Sequence, residues 1–513
     1  MPDSRNATVN FILNGTWINN HKNFSGPYER FYNIDAPEDS DETFIIQDMV
    51  ASVAALQEVF RDALTAGKQL RVVGGTWSLS DVAYTRGWLL STDTLGNYWK
   101  MKPDQVVPSY PQDVTGLYLV QCDVSIEELN RYVEFNGRAL KTSGASNGQT
   151  IAGAVATGTH GSAFQYGSMT EYVVGIHLIP GPDQSIWLER ASYPVITDEF
   201  AASLGVTIRR DDDLFNAALV SFGSFGIVAA LMIETDPIYL LETHSFKITN
   251  DATLKQAMST ADFSQLNLTP AGEIPWHFEV IFNPHDSTAG YAKTIYKRDC
   301  PPGFQNPAIT GDELAPGEGL LGIVGTLTEM LPGAIVSHLV GVLLSSSISV
   351  DKPGDLPAVM TPGGTFSTTI NKGIAYSMEL GIDTKDAGTV LDLLFSLSPE
   401  IDVYTGVISF RWVKQSSAML GFTKFPVTTT IEFNAAANDR TQDYYNRIWS
   451  ELSARGIAYT LHWGQMNNFT PALVRTMYGD DVVDKWLQCR STLMTPEAMA
   501  VFSSDYMKRT GLG

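Results

Sequence analysis

SGASNGQTIAGAVATGTHGS, residues 143–162, contains almost nothing larger than threonine; the exceptions are Asn147, Gln149, Ile151, Val155 and His160. Small side chains let the main chain approach a flat ligand closely, and the glycine steps add amide donors. A helix-packing seam or a flexible loop is the competing reading. A linker, however, would not normally keep Ile151, Val155 and His160 among its small residues.

Two further glycine-bearing segments flank this one. Upstream, LRVVGGTWSLSD (70–81) reads as a short buried strand, Leu70 to Val73, running into a tight turn. The successive N–H groups of Gly74, Gly75, Thr76, Trp77 and Ser78, with two hydroxyls, form a concavity that can hold a pyrophosphate without net positive charge. A plain strand-to-loop turn would look the same. Downstream, DLFNAALVSFGSFGIVAA (213–230) reads as a helix, a Gly223–Gly226 turn and a buried strand. Its main-chain edge at Gly226 and Ile227 could meet an adenine or a flavin pyrimidine, although an ordinary helix-turn-strand connection fits equally.

From Glu42 to Thr235 the pattern alternates helix and strand. Ser52 can cap a helix whose Val53, Leu56, Val59, Phe60 and Leu64 share one face and which ends at Gly67. Leu117 to Cys122 reads as a strand, and Ser125 to Glu128 as a capping box opening a helix that closes at Asn136 and Gly137. Between Tyr239 and Asn434 the texture is β-rich. Trp276–Phe282, Ile374–Leu380, Val407–Val413 and Thr428–Phe433 predict an antiparallel sheet with one working face. Helical spacing returns at Tyr444, Ile448, Trp449 and Leu452, and Asp484 to Leu512 is expected to fold back onto the first domain. The expected class is α+β with two domains: 1–235, to which 455–513 returns, and a cap, 236–454.

The 513 residues exceed what one core usually organises, and 44% apolar residues suffice to bury a large one. Lys and Arg number 34 against 56 acids, a net charge of −22, which repels phosphate backbones and anionic headgroups. Nucleic-acid and membrane partners are therefore not expected. Cys122, Cys300 and Cys489 lack metal-ligand spacing and read as ordinary buried thiols; no metal site is expected. The N-terminus lacks the pattern of a signal peptide, so a cytoplasmic location is expected and the Asn14, Asn23 and Asn468 triplets are read as chance. Gly319 to Ser345 is strongly apolar but broken at Leu331-Pro332-Gly333, too short on either side to span a bilayer. It reads as a pair of buried helices; a lid over an apolar substrate, or a patch resting on a membrane, is the alternative.

The order of the three segments, followed by Leu461-His462-Trp463-Gly464, resembles the FAD-linked oxidases of the vanillyl-alcohol-oxidase (PCMH-type) superfamily, the alditol oxidase and sugar-lactone oxidase branch in particular. IAGAVATGTHGSAFQYGS (151–168) is similar to that branch's motif nearly throughout, and SFGSFGIV (221–228) to its strand entry. The resemblance implies an FAD-binding domain with an antiparallel-sheet substrate (cap) domain. By that resemblance Gly74 to Ser78 and Ser143 to Gly161 would wrap the FAD, with Ser143, Gly144, Ala145, Gln149, Thr150, Gly153, Ala156, Thr157, Thr159, His160 and Gly161 as the positions facing it, and Gly226 and Ile227 would meet its outer portion. Many members tether the flavin through the histidine of Gly-x-x-His-Ser. Here Trp77 stands in that place and cannot form the bond, so non-covalent FAD is expected.

Oxidising an alcohol on a flavin requires a hydride delivered to N5, a base for the hydroxyl proton, and donors or positive charge near the pyrimidine edge. Ser409 and Arg411 share one strand face; the strand resembles the branch's Glu-x-Arg, with Ser409 where the acid would be. Glu432 lies on the next strand, where the branch places a histidine, and is a candidate base or partner of Arg411; a solvent-facing strand acid is the bland reading. His462-Trp463-Gly464-Gln465 resembles His-Trp-Gly-Lys, with Gln465 replacing the lysine and Asn467 and Asn468 offering amides nearby. His277 and Glu279 are weaker candidates.

The expected function is FAD-dependent oxidation of a CH–OH group of a small molecule, with an apolar one among the substrates the sequence allows. O2 is the expected acceptor, giving H2O2, because Ala152 and Ala154 leave the region beside the flavin uncrowded. An oxidative cyclase or redox epimerase acting on an apolar specialised metabolite, and a non-catalytic flavin-binding protein, are the alternatives.

Overall fold

The computed structural model describes residues 7–36, 44–144, 147–307, 332–347, 350–352, 354–366, 374–397 and 404–513. Three sheets organise it. The first comprises β1 (Thr8–Ile18), β2 (Ser25–Asp35), β3 (Leu70–Val73) and β4 (Trp88–Ser91) in the order β1-β2-β4-β3, an antiparallel hairpin joined to a parallel pair. The second comprises β5 (Tyr98–Lys100), β6 (Leu117–Gln121), β7 (Arg138–Leu140), β8 (Val173–Gly181), β9 (Gln184–Glu189), β10 (Thr207–Arg210) and β11 (Ile227–Pro237). Its order is β10-β9-β8-β11-β6-β5, with β7 also on β11. Every residue of β8 is buried, as expected of a strand covered on both faces.

The helix Ile45–Thr65 buries Leu56, Val59, Phe60 and Ala63. It begins well before the expected cap at Ser52, whose Oγ donates to the Asp48 carbonyl at 2.8 Å from within the helix body. The expected capping box is present: Ser125 Oγ accepts from Glu128 N, and Glu128 Oε2 accepts from Ser125 N, opening the helix Ile126–Phe135.

The chain passes into the third sheet between Pro237 and Tyr239. This sheet comprises β12 (Tyr239–Thr249), β13 (His277–Phe282), β14 (Ala289–Asp299), β15 (Ala358–Met360), β16 (Ala375–Asp383), β17 (Gly406–Lys414), β18 (Val427–Ala436) and β19 (Tyr459–Leu461), in the order β15-β12-β14-β13-β17-β18-β16-β19. Side chains alternate across it. Phe278, Val280, Phe282, Ile408, Phe410, Trp412, Ile431 and Phe433 are buried in one core. Helices Ala252–Thr260 and Ala387–Ser396 cover that face: Trp412 Nε1 donates to Met258 O at 3.0 Å, and Phe395 meets Phe282 edge-on. The opposite face carries the polar residues, and pairing sets their order. Arg411 lies opposite Glu279 on β13 and Thr430 on β18, while Glu432 lies opposite Ser409 on β17 and Glu379 on β16.

The returning C-terminal segment first adds β19 to the edge of this large sheet, then runs on to the first domain. There Trp486 Nε1 donates to Ala217 O at 3.1 Å, Arg490 Nε to Ser224 O at 3.0 Å, and Phe502 meets Phe60 edge-on. Of the apolar segment, a helix spans Gly333–Ser347, with Val336 and Val340 buried against Ile281, Tyr291 and Val407; residues 319–331 lie outside the described residues. Among the described residues no helix is long and apolar enough to cross a membrane. Cys122 and Cys489 are buried, but Cys300 is half-exposed at the end of β14, contrary to its reading as a buried thiol.

Candidate active site

In chain order, the first two glycine-bearing segments pack closely against each other, and the third joins the second through Phe222 N, which donates to Ala156 O at 3.0 Å. A Cβ on Gly75 would sit 2.7 Å from Gly148 O, one on Gly74 2.5 Å from Thr150 Oγ1, and one on Gly161 2.1 Å from Thr142 Oγ1. The Trp77 ring lies on Gly148, where a Cβ would come within 2.2 Å of it. Asn147 Nδ2 and Thr142 Oγ1 are buried in this wall without a hydrogen-bond partner. Burying unpaired polar groups costs about 1–3 kcal/mol each, so such groups beside a cradle of glycines fit a polar, flat ligand that completes them.

Other expected ligand-facing residues hold the wall itself. Thr150 Oγ1 accepts from Gly153 N at 3.3 Å and caps the short helix Ile151–Ala156; Thr157 Oγ1 donates to Gly153 O at 2.9 Å. The carbonyls of Gln149, Ala156 and Thr159 accept from the N–H groups of Ile126, Phe222 and Met169. Ser143 Oγ donates to Asn147 Oδ1 at 3.0 Å and lies 3.4 Å from Gly144 O, while Ala145 lies outside the described residues. Thr76 adopts φ 55°, and its carbonyl accepts from Asn20 N at 3.0 Å. Gly226 and Ile227 open the central strand β11. Ile227 pairs with Ile179, and a Cβ on Gly226 would meet Ile179 O at 2.1 Å, so β8 covers one side of this edge, while pairing with β6 on the other begins only at Ala230.

The loop after β19 docks on the first turn. Gly464 O accepts from Leu79 N at 2.7 Å and Ser80 N at 3.3 Å, and Ser80 Oγ donates to Trp463 O at 2.9 Å. Trp463 is fully buried against Phe222, Phe469 and Tyr478, which makes it the anchor of the loop. His462 and Gln465 are thereby held between the glycine wall and the large sheet. Gly464 N donates to His462 Nδ1 at 3.1 Å, and burial lowers the His462 pKa to about 4, so the ring is neutral with its proton on Nε2.

On the sheet, one guanidinium nitrogen of Arg411, Nη2, donates to Glu379 Oε1 at 3.1 Å and to Glu432 Oε2; Nε lies 4.0 Å from Glu279. Burial alone would lower Arg411, but the three carboxylates raise its pKa and keep it charged. Gln465 Nε2 bridges Glu379 Oε2 and Glu432 Oε1, each at 3.5 Å, and its Oε1 accepts from Ser377 Oγ at 3.0 Å. Ser409 Oγ donates to Glu279 Oε1 at 2.5 Å. The carboxylate missing at position 409 is thus present from the neighbouring strand. Burial would raise Glu279, but His277, Lys293 and Arg411 hold it well below the usual carboxylate range. His277 is buried with its Nε2 3.8 Å from Glu279 Oε2, and desolvation lowers its pKa against the raising effect of that carboxylate.

The residue that sequence reading missed is Glu379. Its side chain is only 3% exposed, and its Oε1 receives both Arg411 and His160 Nε2, at 3.1 Å each. Burial pushes its pKa up, yet His160 and Arg411 prevail and hold it at about 2. Ile374–Leu380 was legible as a strand, and a lone acid two positions from Ser377 on a buried face was the available signal. His160, expected at the cofactor, is the link between the two halves: it ends the glycine segment and reaches the sheet through Glu379.

Residues 48–186 match the family described as FAD binding domain. The D-arabinono-1,4-lactone oxidase of Yarrowia lipolytica is 27% identical over 209 residues, 40% of this chain and 35% of that protein. The chain thus spans about a third of the length of the lactone oxidases it matches. The L-gulono-1,4-lactone dehydrogenase of Mycobacterium tuberculosis is 24% identical over 465 residues, 89% of this chain and 94% of that one. A variant of cholesterol oxidase from Brevibacterium sterolicum has a similar structure, with a TM-score of 0.68 at 13% identity over 98% of this chain and 97% of that one. A VAO-type flavoprotein from Myceliophthora thermophila gives a TM-score of 0.58 at 12% identity over 92% and 80%. The chain therefore has the fold of the vanillyl-alcohol-oxidase-type flavoproteins, carries their FAD binding domain at residues 48–186, and takes FAD as its cofactor.

Proposed function

We propose that this chain is an FAD-dependent oxidoreductase that oxidises a CH–OH group of a small molecule. The observation that carries the reading is the convergence of Arg411, Glu432 and Glu379 from one sheet face with His462 and Gln465 from the loop after β19, tied to the glycine-rich wall through His160. Bound FAD supplies the hydride acceptor, flavin N5. Glu432, the most exposed of the three carboxylates at 20%, is placed to take the hydroxyl proton. Arg411 holds Glu432 in position and offers charge to a developing alkoxide. His462, with Nδ1 occupied by the Gly464 N–H, acts as a hydrogen-bond donor through Nε2. The FAD is held without a covalent bond, because Trp77 replaces the tethering histidine.

Likeness to proteins named lactone oxidase, lactone dehydrogenase and cholesterol oxidase supports alcohol chemistry, and the two oxidase names support O2 as the acceptor. A second reading, oxidation coupled to cyclisation or epimerisation of an apolar metabolite, draws on the apolar helix Gly333–Ser347. This helix packs over Ile281, Tyr291 and Val407 beside the polar row. A panel of alditols, sugar lactones, sterols and terpenoid or polyketide alcohols, read by H2O2 release and product mass, tests both. Loss of two hydrogens with H2O2 is expected; a product of unchanged mass or a new ring would favour the second.

A further inference from the structure

We propose that His160 is held as a doubly protonated imidazolium, a permanent cation in the FAD-facing wall that replaces the charge absent at Gln465. The proposal rests on the FAD-enzyme reading above and names the group that supplies positive charge there. Glu379 is the positioning residue that keeps His160 in this state.

The hydrogen-bond geometry favours it. His160 Nδ1 lies 2.8 Å from Gly161 O, and a carbonyl can only accept, so Nδ1 carries a proton. His160 Nε2 lies 3.1 Å from Glu379 Oε1. That oxygen also receives Arg411 Nη2 at 3.1 Å, and Glu379 Oε2 receives Gln465 Nε2 at 3.5 Å. Both oxygens of Glu379 therefore face donors, the pattern of an ionised carboxylate, so Nε2 carries a proton too. An imidazole donating from both nitrogens is a cation.

Charge balance points the same way. Glu279, Glu379 and Glu432 surround a single guanidinium, Arg411, in a buried cluster. An uncompensated buried charge is costly, and a protonated His160 removes one excess negative charge. The groups facing His160 are Glu379 from β16, Arg411 from β17, whose Nη2 shares Glu379 Oε1 with it and is the like charge this carboxylate has to offset, the Phe422 ring at 5.3 Å from the loop before β18, and the His462 ring at 6.1 Å from the loop after β19. His462 takes the opposite state: it accepts at Nδ1 and is neutral. Two adjacent histidines are thus distinguished by what their Nδ1 atoms face, a carbonyl in one case and an N–H in the other. With lysine absent at 465, His160 is left as the cation on the glycine-rich side of the site.

The test uses FAD-loaded full-length protein labelled with 15N-histidine, with His160 assigned by difference from His160→Gln. At pH 8, where a free histidine is neutral, both ring nitrogens of His160 should be protonated. A bare nitrogen in the wild-type protein at that pH overturns the proposal, whether or not any substrate is turned over. Glu379→Gln should return His160 to a single proton; retention of both would remove Glu379 from its role. Should that variant fail to fold, the wild-type spectrum still decides the charge. His160→Gln should also disfavour flavin reduction by about tenfold, roughly 30 mV for a two-electron couple. An unchanged potential would overturn the electrostatic role. A protein purified without yellow cofactor would contradict the FAD-enzyme reading instead, so the two failures are distinguishable.

Discussion

Arg411 is the residue whose loss should be felt most widely, because Glu379 and Glu432 both accept from its Nη2. Arg411→Ala leaves buried carboxylates uncompensated and should lower stability by about 3–5 kcal/mol, measured by urea unfolding of the FAD-loaded protein. It should also slow substrate reduction of the flavin while leaving bound-flavin absorbance in place; loss of FAD binding would instead make Arg411 structural. Trp77 carries a separate prediction: trichloroacetic acid should release the yellow cofactor into the supernatant, and colour kept in the pellet would contradict a non-covalent flavin. Arg411, Glu432, His462 and Gln465 were legible because each sits in a short motif resembling a known branch. Glu379 was not, since an acid in a strand reads as solvent-facing until the register places it opposite Glu432. The partnership of Ser409 with Glu279 was hidden for the same reason, as cross-strand neighbours are far apart in sequence.

At the scale of elements, the glycine-bearing loops work by close approach. Gly148→Ala places a methyl within 2.2 Å of the Trp77 ring, so the ring must move; FAD affinity should fall at least tenfold by fluorescence titration, while the fold persists by circular dichroism. Unchanged affinity would mean that Trp77 and Gly148 do not shape the cofactor wall. Ser125→Ala removes half of a capping box and should cost about 1 kcal/mol in urea unfolding. The central helices and strands could be read from sequence because their apolar periods are clean, as in the helix Asp439–Ala454 capped by Asn438 and the alternating β17. The hairpin of β1 and β2 could not. β1 exposes Phe11, Ile12 and Leu13 consecutively, so no period of two marks it. The helix start at Ile45 was missed because Phe44 at its N-cap makes no side-chain cap, leaving Ser52 as the visible but false signal.

Across the whole molecule, the site exists only because distant parts of the chain meet: a loop after β3, the glycine segment, three strands of the large sheet and the loop after β19. Assembly from buried parts makes the fold sensitive to acid. Burial holds His21, His177 and His462 each at about 4. Unfolded histidines titrate near 6.5, so between those values the unfolded chain binds more protons and stability falls as pH drops. Each such histidine contributes a loss of up to about 1.4 kcal/mol for every pH unit crossed in that window. Glu379, held at about 2, adds a loss in the same direction below about 4.5. Asp123, which burial holds at about 6, and the His160 cation proposed above act the other way, because the folded chain binds those protons first, but the three histidines outweigh them below pH 6. Melting temperature should therefore fall from pH 6 to pH 4; a flat or rising profile there would mean that the histidines are not held as described. The fold was legible through the order of its glycine segments, whereas the substrate was not, because the positions facing it depart from the resembling branch at Ser409, Glu432 and Gln465. The central claim is tested most directly by anaerobic stopped-flow mixing of the FAD-loaded protein with the alcohol panel, following flavin absorbance. Bleaching by at least one hydroxyl compound, restored on admitting an electron acceptor, is predicted. A yellow protein that no alcohol bleaches would contradict it.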